Sequence, residues 1–308
     1  HSVDESIHLY NPSNGWLQNC NSTPFTSAGT NSPDKTKYPA YMSPGLENFR
    51  GINAVRVLQK KQAFNIDKLI AAGYDTYLAG FEQLQQALVE AYKKDSGRLH
   101  ASLAGPIAVM ENWDLYANEQ SVATTLAIEW GDLLKPLLNA VNKEPWKGYI
   151  GTVNTFAATA SQKQLLETFE AAINKLIKNH GTWQVPWGEI NRYQRLSGQV
   201  TQQFDDTQPS LPVGFAGAEW GMLPSFTSNY FPGTVKRYGV YGNSFVCAVE
   251  FGKKIKAKSL LAGGESSNPA SPHFNNQALM YSKGKFKDVL FYKQDVLKHA
   301  VRKYHPGE

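Results

Sequence analysis

Apolar positions recur at helical spacing from residue 51 to about residue 180. Ile52, Val55 and Leu58 mark a first short helix in NFRGINAVRVLQKK, and Asn65 stands as an N-cap before Ile66, Leu69 and Ile70. Three longer stripes follow. Leu78, Phe81, Leu84, Leu88 and Tyr92 form one, and Val122, Leu126, Trp130, Leu133 and Leu137 form the second. Leu165, Phe169, Ile173 and Leu176 form the third. Pro136 is expected to kink or end the second helix, because proline lacks the N–H and crowds the preceding turn. Each stripe reads as a core face, since any globular helix needs one.

Outside that block the pattern changes. Residues 1–50 are rich in Asn, Ser, Thr, Pro and Gly, with apolar patches such as IHLY and GWLQ that predict short strands joined by turns. Beyond residue 180 Trp, Gly and Pro replace the helical period, and two strands are expected at 244–251 and 255–262 across a tight GKK turn. In the first strand both faces are largely apolar, so it is expected to be covered on both sides. KQDVLKHAVRKYHPGE has the composition of a short terminal helix and a tail. The division expected is 1–50 loop and short strands, 51–180 helical, and 181–308 loop-rich with buried strands and a final helix.

Composition narrows the function classes. A chain of 308 residues with 42% hydrophobic and 19% charged residues can bury a substantial core. Its net charge of +5 is dispersed, which argues against nucleic acid as a partner, and GKKIKAK reads as the solvated face of a strand. No stretch reaches the length of a membrane span, and HSVDESIHLY lacks a signal-peptide pattern. Two cysteines, Cys20 and Cys247, exclude a disulfide framework; they leave one long-range disulfide or two inert buried thiols, and their apolar contexts favour the thiols. The seven histidines show no metal-ligand pairing, so neither a metal nor a cofactor is called for.

Local catalytic signatures are missing: no nucleophile elbow and no phosphate-binding glycine loop. Glu111 and Asp114 read as acidic residues in the first turn of a helix. What remains is the amide-rich stretch NPSNGWLQNCNSTPF and an arginine, with Asn19, Asn21 and Arg50 as the candidate set. A rigidly held Asn amide can donate to an oxyanion, and an arginine fork can hold it. Asx-turns with a surface ion pair would produce the same residues.

These segments resemble the penicillin acylase (penicillin amidase) family of N-terminal nucleophile hydrolases. NPSNGWLQNCNSTPF is similar to the family's Asn-Pro-x-x-Gly-aromatic-aliphatic-x-Asn-x-Asn stretch, and FRGINAVRVLQ to its Arg-centred helix start. WGEINR, GNSFVCAVEF and GGESSNPASPHFNNQALMYSKGKFKDVLFYKQDV resemble its C-terminal segments, in the same order. GWLQNCN and SSNPASPH look closest to the branch of acyl-homoserine-lactone and aculeacin acylases.

The resemblance implies an α+β fold: the C-terminal part of an αββα sandwich, with a helical subdomain inserted between strand-containing segments. It also implies a linear-amide hydrolase, working through an acyl-enzyme on a nucleophile whose own α-amine is the base. By position Asn21 becomes the oxyanion donor and Arg50 the residue that orients the active-site polar groups. His1 does not match the nucleophile and Ser2 has no free α-amine, so the chain is expected to be a C-terminal portion of the second chain, inactive alone. Its expected partners are the upstream portion of the same precursor and a small acyl-amide substrate, in the periplasm or outside the cell. KYPAYMSPG offers no counterpart to the calcium ligand of some members, and Asn191, Glu265 and Asn276 depart from the usual residues. The alternative is a non-catalytic binding module that keeps the fold, with Trp183, Trp187, Phe226 and Tyr230 around an apolar pocket.

Overall fold

A computed structural model describes residues 2–60, 63–95, 100–141, 148–305 and 307; His1 lies outside these. The fold is α+β. Seven helices of eight or more residues are described: α1 (Phe49–Leu58), α2 (Ile66–Gly73), α3 (Glu82–Asp95), α4 (Ala104–Glu111), α5 (Val122–Val141), α6 (Gly148–Thr159) and α7 (Gln162–His180). The described strands all follow: β1 (Asn191–Tyr193), β2 (Leu211–Pro212), β3 (Phe226–Tyr230), β4 (Arg237–Gly242), β5 (Phe245–Glu250), β6 (Lys256–Leu261) and β7 (Lys287–Asp288). Three short helices, α8 (Trp187–Ile190), α9 (Ala278–Ser282) and α10 (Lys293–Lys298), lie among and after them.

Local chemistry explains most boundaries. Asn65 caps α2 by accepting from Lys68 N at 2.9 Å, and Glu250 Oε2 accepts from Ile66 N at 2.8 Å. A capping box between Ser161 and Gln164 opens α7, and Gly181 closes it at φ 76°. α5 runs through Pro136 instead of ending there, because Pro136 lies on the exposed side where a released carbonyl can be hydrated. Its buried stripe continues through Leu134 and Leu138, while Leu133 and Leu137 are half-buried. On α1 the apolar spacing misplaces the core face: Ile52 is exposed, and the buried residues include Phe49, Asn53, Ala54 and Val57. Glu111 ends α4 instead of opening a helix, and pairs with Lys93.

Residues 1–50 form no strand among the described residues. IHLY and GWLQ are followed by short 3-10 turns, because Asn, Ser and Thr side chains there bond to nearby backbone. Later, β2-β1-β4-β3 make one sheet, with β1 and β4 parallel, and β5-β6-β7 make an antiparallel second. The β5–β6 hairpin runs from Phe245↔Leu261 to Glu250↔Lys256. β5 is its edge strand, and only Ala248 is fully buried on it. The expectation of a strand covered on both faces therefore fails, with Phe245 64% exposed.

Helices and sheet share one core, from Phe49 to Tyr281. Trp187 and Phe226 are buried within it. At its centre lies Glu129 of α5, fully buried, whose carboxylate accepts from Arg237 at 2.8 Å, Lys175 at 2.7 Å and Tyr230 at 2.9 Å. Arg237 also pairs with Asp132 and donates to Ser228 O. This cluster joins α5 and α7 to β3 and β4. Burial would raise the Asp132 carboxyl, but the charges of Arg237 and Lys135 hold it below its usual value.

Without Arg237 the buried Glu129 keeps Lys175 and Tyr230 but loses its most buried cation, so Arg237→Leu should cost about 3–5 kcal/mol in urea unfolding. A loss within the range of a surface substitution contradicts this. The depressed Asp132 carboxyl contributes stability above its unfolded value near about pH 4, lost as pH falls through the lower folded value. Asp132→Asn should flatten the acid limb of a stability–pH curve.

Candidate functional site

The loop that carries Asn21 is closed by its own side chains. Gln18 N donates to Ser27 O at 2.8 Å, and Asn14 Nδ2 donates to Ala28 O at 2.7 Å. Asn19 Oδ1 accepts from Asn21 N at 2.8 Å, an Asx-turn that frames the next residue. Asn21 sits at φ 56°, in the left-handed region that asparagine tolerates better than most side chains.

α1 brings Arg50 against this loop. Arg50 Nη2 donates to Asn21 Oδ1 at 2.7 Å and to Cys20 O at 2.9 Å. Only the amide oxygen can accept, so this contact fixes which way the amide points. Asn21 Nδ2 is left without a partner among the described residues, on an exposed side chain. Among the described residues Arg50 makes no ion pair; an amide oxygen and a carbonyl take its bonds instead. The structure thus brings Asn19, Asn21 and Arg50 together.

Three more residues, not picked out from the sequence, hold the arrangement. Asn48 caps α1 by accepting from Gly51 N at 2.9 Å and donates from Nδ2 to Cys20 O at 2.9 Å. An Asn directly ahead of an apolar helix was the available signal. Asn53, fully buried, donates to Tyr77 O at 3.2 Å and Gly221 O at 3.1 Å. Arg56 donates to Asn53 Oδ1 and Asp75, with its guanidinium 4.3 Å from the Tyr77 ring centre. No local sequence signal marks that pair. A Cβ at Gly51 would displace the flexible end of the Glu47 side chain and stand 3.0 Å from Ser22 Oγ of the loop.

A cleft of about 430 Å³ opens beside these residues. Asn19, Cys20 and Arg50 line one part of it, and Val57, Leu69, Ile70, Val246 and Phe286 supply much of the rest. Both cysteines line it as free thiols; Cys20 is half-buried and Cys247 exposed, so neither is the fully buried thiol its context predicted. β5 being an edge strand is the reason for Cys247. Burial pushes the Cys20 thiol above its ordinary value, against the nearby charge of Arg50. Ser22 Oγ is buried with no hydrogen-bond partner among the described residues. Among the described residues no group of three His, Cys, Asp or Glu could hold a metal ion, and no helix is long and apolar enough to cross a membrane.

The sequence model of the penicillin amidase family matches residues 1–298. The chain belongs to that family. The thermostable penicillin G acylase from Alcaligenes faecalis, a solved structure, is 17% identical, with a TM-score of 0.49 over 96% of this chain and 57% of that one. The chain thus spans little more than half the length of that acylase.

The thiols should react in an order set by exposure. With iodoacetamide at pH 8 Cys247 should be alkylated well before Cys20, whose raised value keeps less of it as thiolate. Peptide mass spectrometry reads the order, and faster labelling of Cys20 would contradict it.

Proposed function

We propose that this chain supplies the oxyanion-holding part of a linear-amide acylase. The observation that carries the reading is the Arg50–Asn21 contact at 2.7 Å, which holds the amide oxygen and leaves the exposed N–H₂ without a partner among the described residues. Such a donor serves the negative oxygen of a tetrahedral intermediate and contributes most as that charge develops. Asn21 is the donor and Arg50 positions it.

The nucleophile comes from a segment of the same precursor outside these 308 residues. Cys20 and Ser22 flank Asn21, but burial disfavours the Cys20 thiolate and Ser22 Oγ has no base in contact. Family chemistry, in which the nucleophile's α-amine is the base, needs no histidine here. The open edge of β5, with Phe245 exposed, is a surface on which that segment would pack. The apolar part of the cleft takes the acyl group, in keeping with the resemblance of GWLQNCN and SSNPASPH to acyl-homoserine-lactone and aculeacin acylases.

Amine release from a series of acyl p-nitroanilides, measured on the complete precursor, tests this. Asn21→Ala should lower kcat by about 10²–10³ while self-cleavage proceeds. Unchanged turnover would remove Asn21 from the role, and binding of the amides with no release by the parent enzyme would favour a non-catalytic module.

A further inference from the structure

Asn48 does two things, and only one of them is to cap a helix. Its Oδ1 accepts from Gly51 N, which Ser or Asp would do as well at this position. Its Nδ2 reaches the Cys20 carbonyl at 2.9 Å, the same oxygen that Arg50 Nη2 contacts at 2.9 Å. Of the strongly preferred caps only Asn carries N–H₂ donors beside its acceptor, so its choice over Asp or Ser follows from the second contact.

The Cys20 carbonyl belongs to the peptide that leads into Asn21. Asn21 holds a left-handed backbone at φ 56°, and the peptide that enters it is held at both polar ends, its carbonyl by Asn48 and Arg50 and its N–H by Asn19 Oδ1. Arg50 fixes the far end of the Asn21 side chain, but through a long and flexible stem. Asn48 fixes the near end from a short side chain whose other end is tied into the first turn of α1. A carbonyl with two lone pairs accepts both donors.

We infer that Asn48 is a positioning residue for Asn21: by holding the Cys20–Asn21 peptide it sets where the Asn21 amide N–H points during turnover. The inference rests on Asn21 being the oxyanion donor. It predicts a loss confined to the chemical step, because a donor displaced from a developing charge lowers kcat without weakening ground-state binding.

The variants are Asn48→Ser and Asn48→Asp, which keep the cap acceptor, Asn48→Ala, which does not, and Asn21→Ala alone and combined with Asn48→Ser. Each is made in the complete precursor, and turnover of a fatty-acyl p-nitroanilide is measured with Tm. Asn48→Ser and Asn48→Asp should lower kcat by about tenfold with KM and Tm close to wild type. On the Asn21→Ala background Asn48→Ser should produce no further loss, since the two act through one group. Wild-type kcat in both cap-retaining variants overturns the inference. So does a loss of the same factor with or without Asn21, or one seen only in Asn48→Ala, because either marks a general structural role. Unchanged turnover in Asn21→Ala alone removes the oxyanion assignment, and the inference with it; an impaired Asn21→Ala beside a fully active Asn48→Ser removes only the inference.

Discussion

A carboxylate with no exposure must be answered within the protein, and the placing of Glu129 governs how the helices meet the sheet. Its partners come from three other elements: Lys175 from α7, Tyr230 from β3 and Arg237 from β4. Arg237 is itself 5% exposed and binds the Ser228 carbonyl and Asp132 as well, so the cluster loses a buried partner whichever of the two charges is removed. Apolar contact would let α5 slide or rotate against the sheet. The ionic cluster admits one register.

That register propagates to the candidate site through close packing. Two residues along α5, Gly131 lies so near Trp220 that a Cβ would come within 2.7 Å of its ring. Trp220 packs on Phe81 with ring centres 4.5 Å apart, and the next residue, Gly221, turns at φ 104° to present its carbonyl to Asn53. Asn53 is on α1, one turn after Asn48 and Arg50. The path from a buried carboxylate to the Asn21 loop is therefore continuous, and its last links are hydrogen bonds with fixed directions.

Periodicity in the sequence located α3, α5 and α7 well: α3 and α7 each bury one apolar stripe, while α5 is buried on all faces from Ala123 to Gly131 and along a stripe beyond. It failed on α1, where the buried face includes the polar Asn53, and a count of apolar residues cannot see a polar residue whose bonds are made inside. It failed on β5 for the opposite reason. Apolar residues on both faces read as burial on both faces, yet an edge strand leaves Phe245 and Cys247 open. The amides of residues 19 and 21 and the arginine at 50 were legible as a set through their resemblance to a family pattern. Asn48 was legible only as a helix cap, since its second contact spans 28 residues of sequence.

The electrostatic sense of the site follows from what Arg50 does not do. A guanidinium paired with a carboxylate would present a neutral surface to a substrate. Here both its described acceptors are uncharged oxygens, so among the described residues no carboxylate is bonded to the guanidinium that holds the Asn21 amide. A cation and an N–H dipole aligned in this way stabilise an oxyanion more than a neutral carbonyl, because the interaction grows with the charge on the oxygen. The loop orients them through its own bonds: the left-handed turn, the Asx bond from Asn19 and the doubly held Cys20 carbonyl. On the proposed reading of Asn21 as oxyanion donor, little reorganisation is then needed as charge builds, and the rigidity of this short stretch would serve the chemistry more directly than stability.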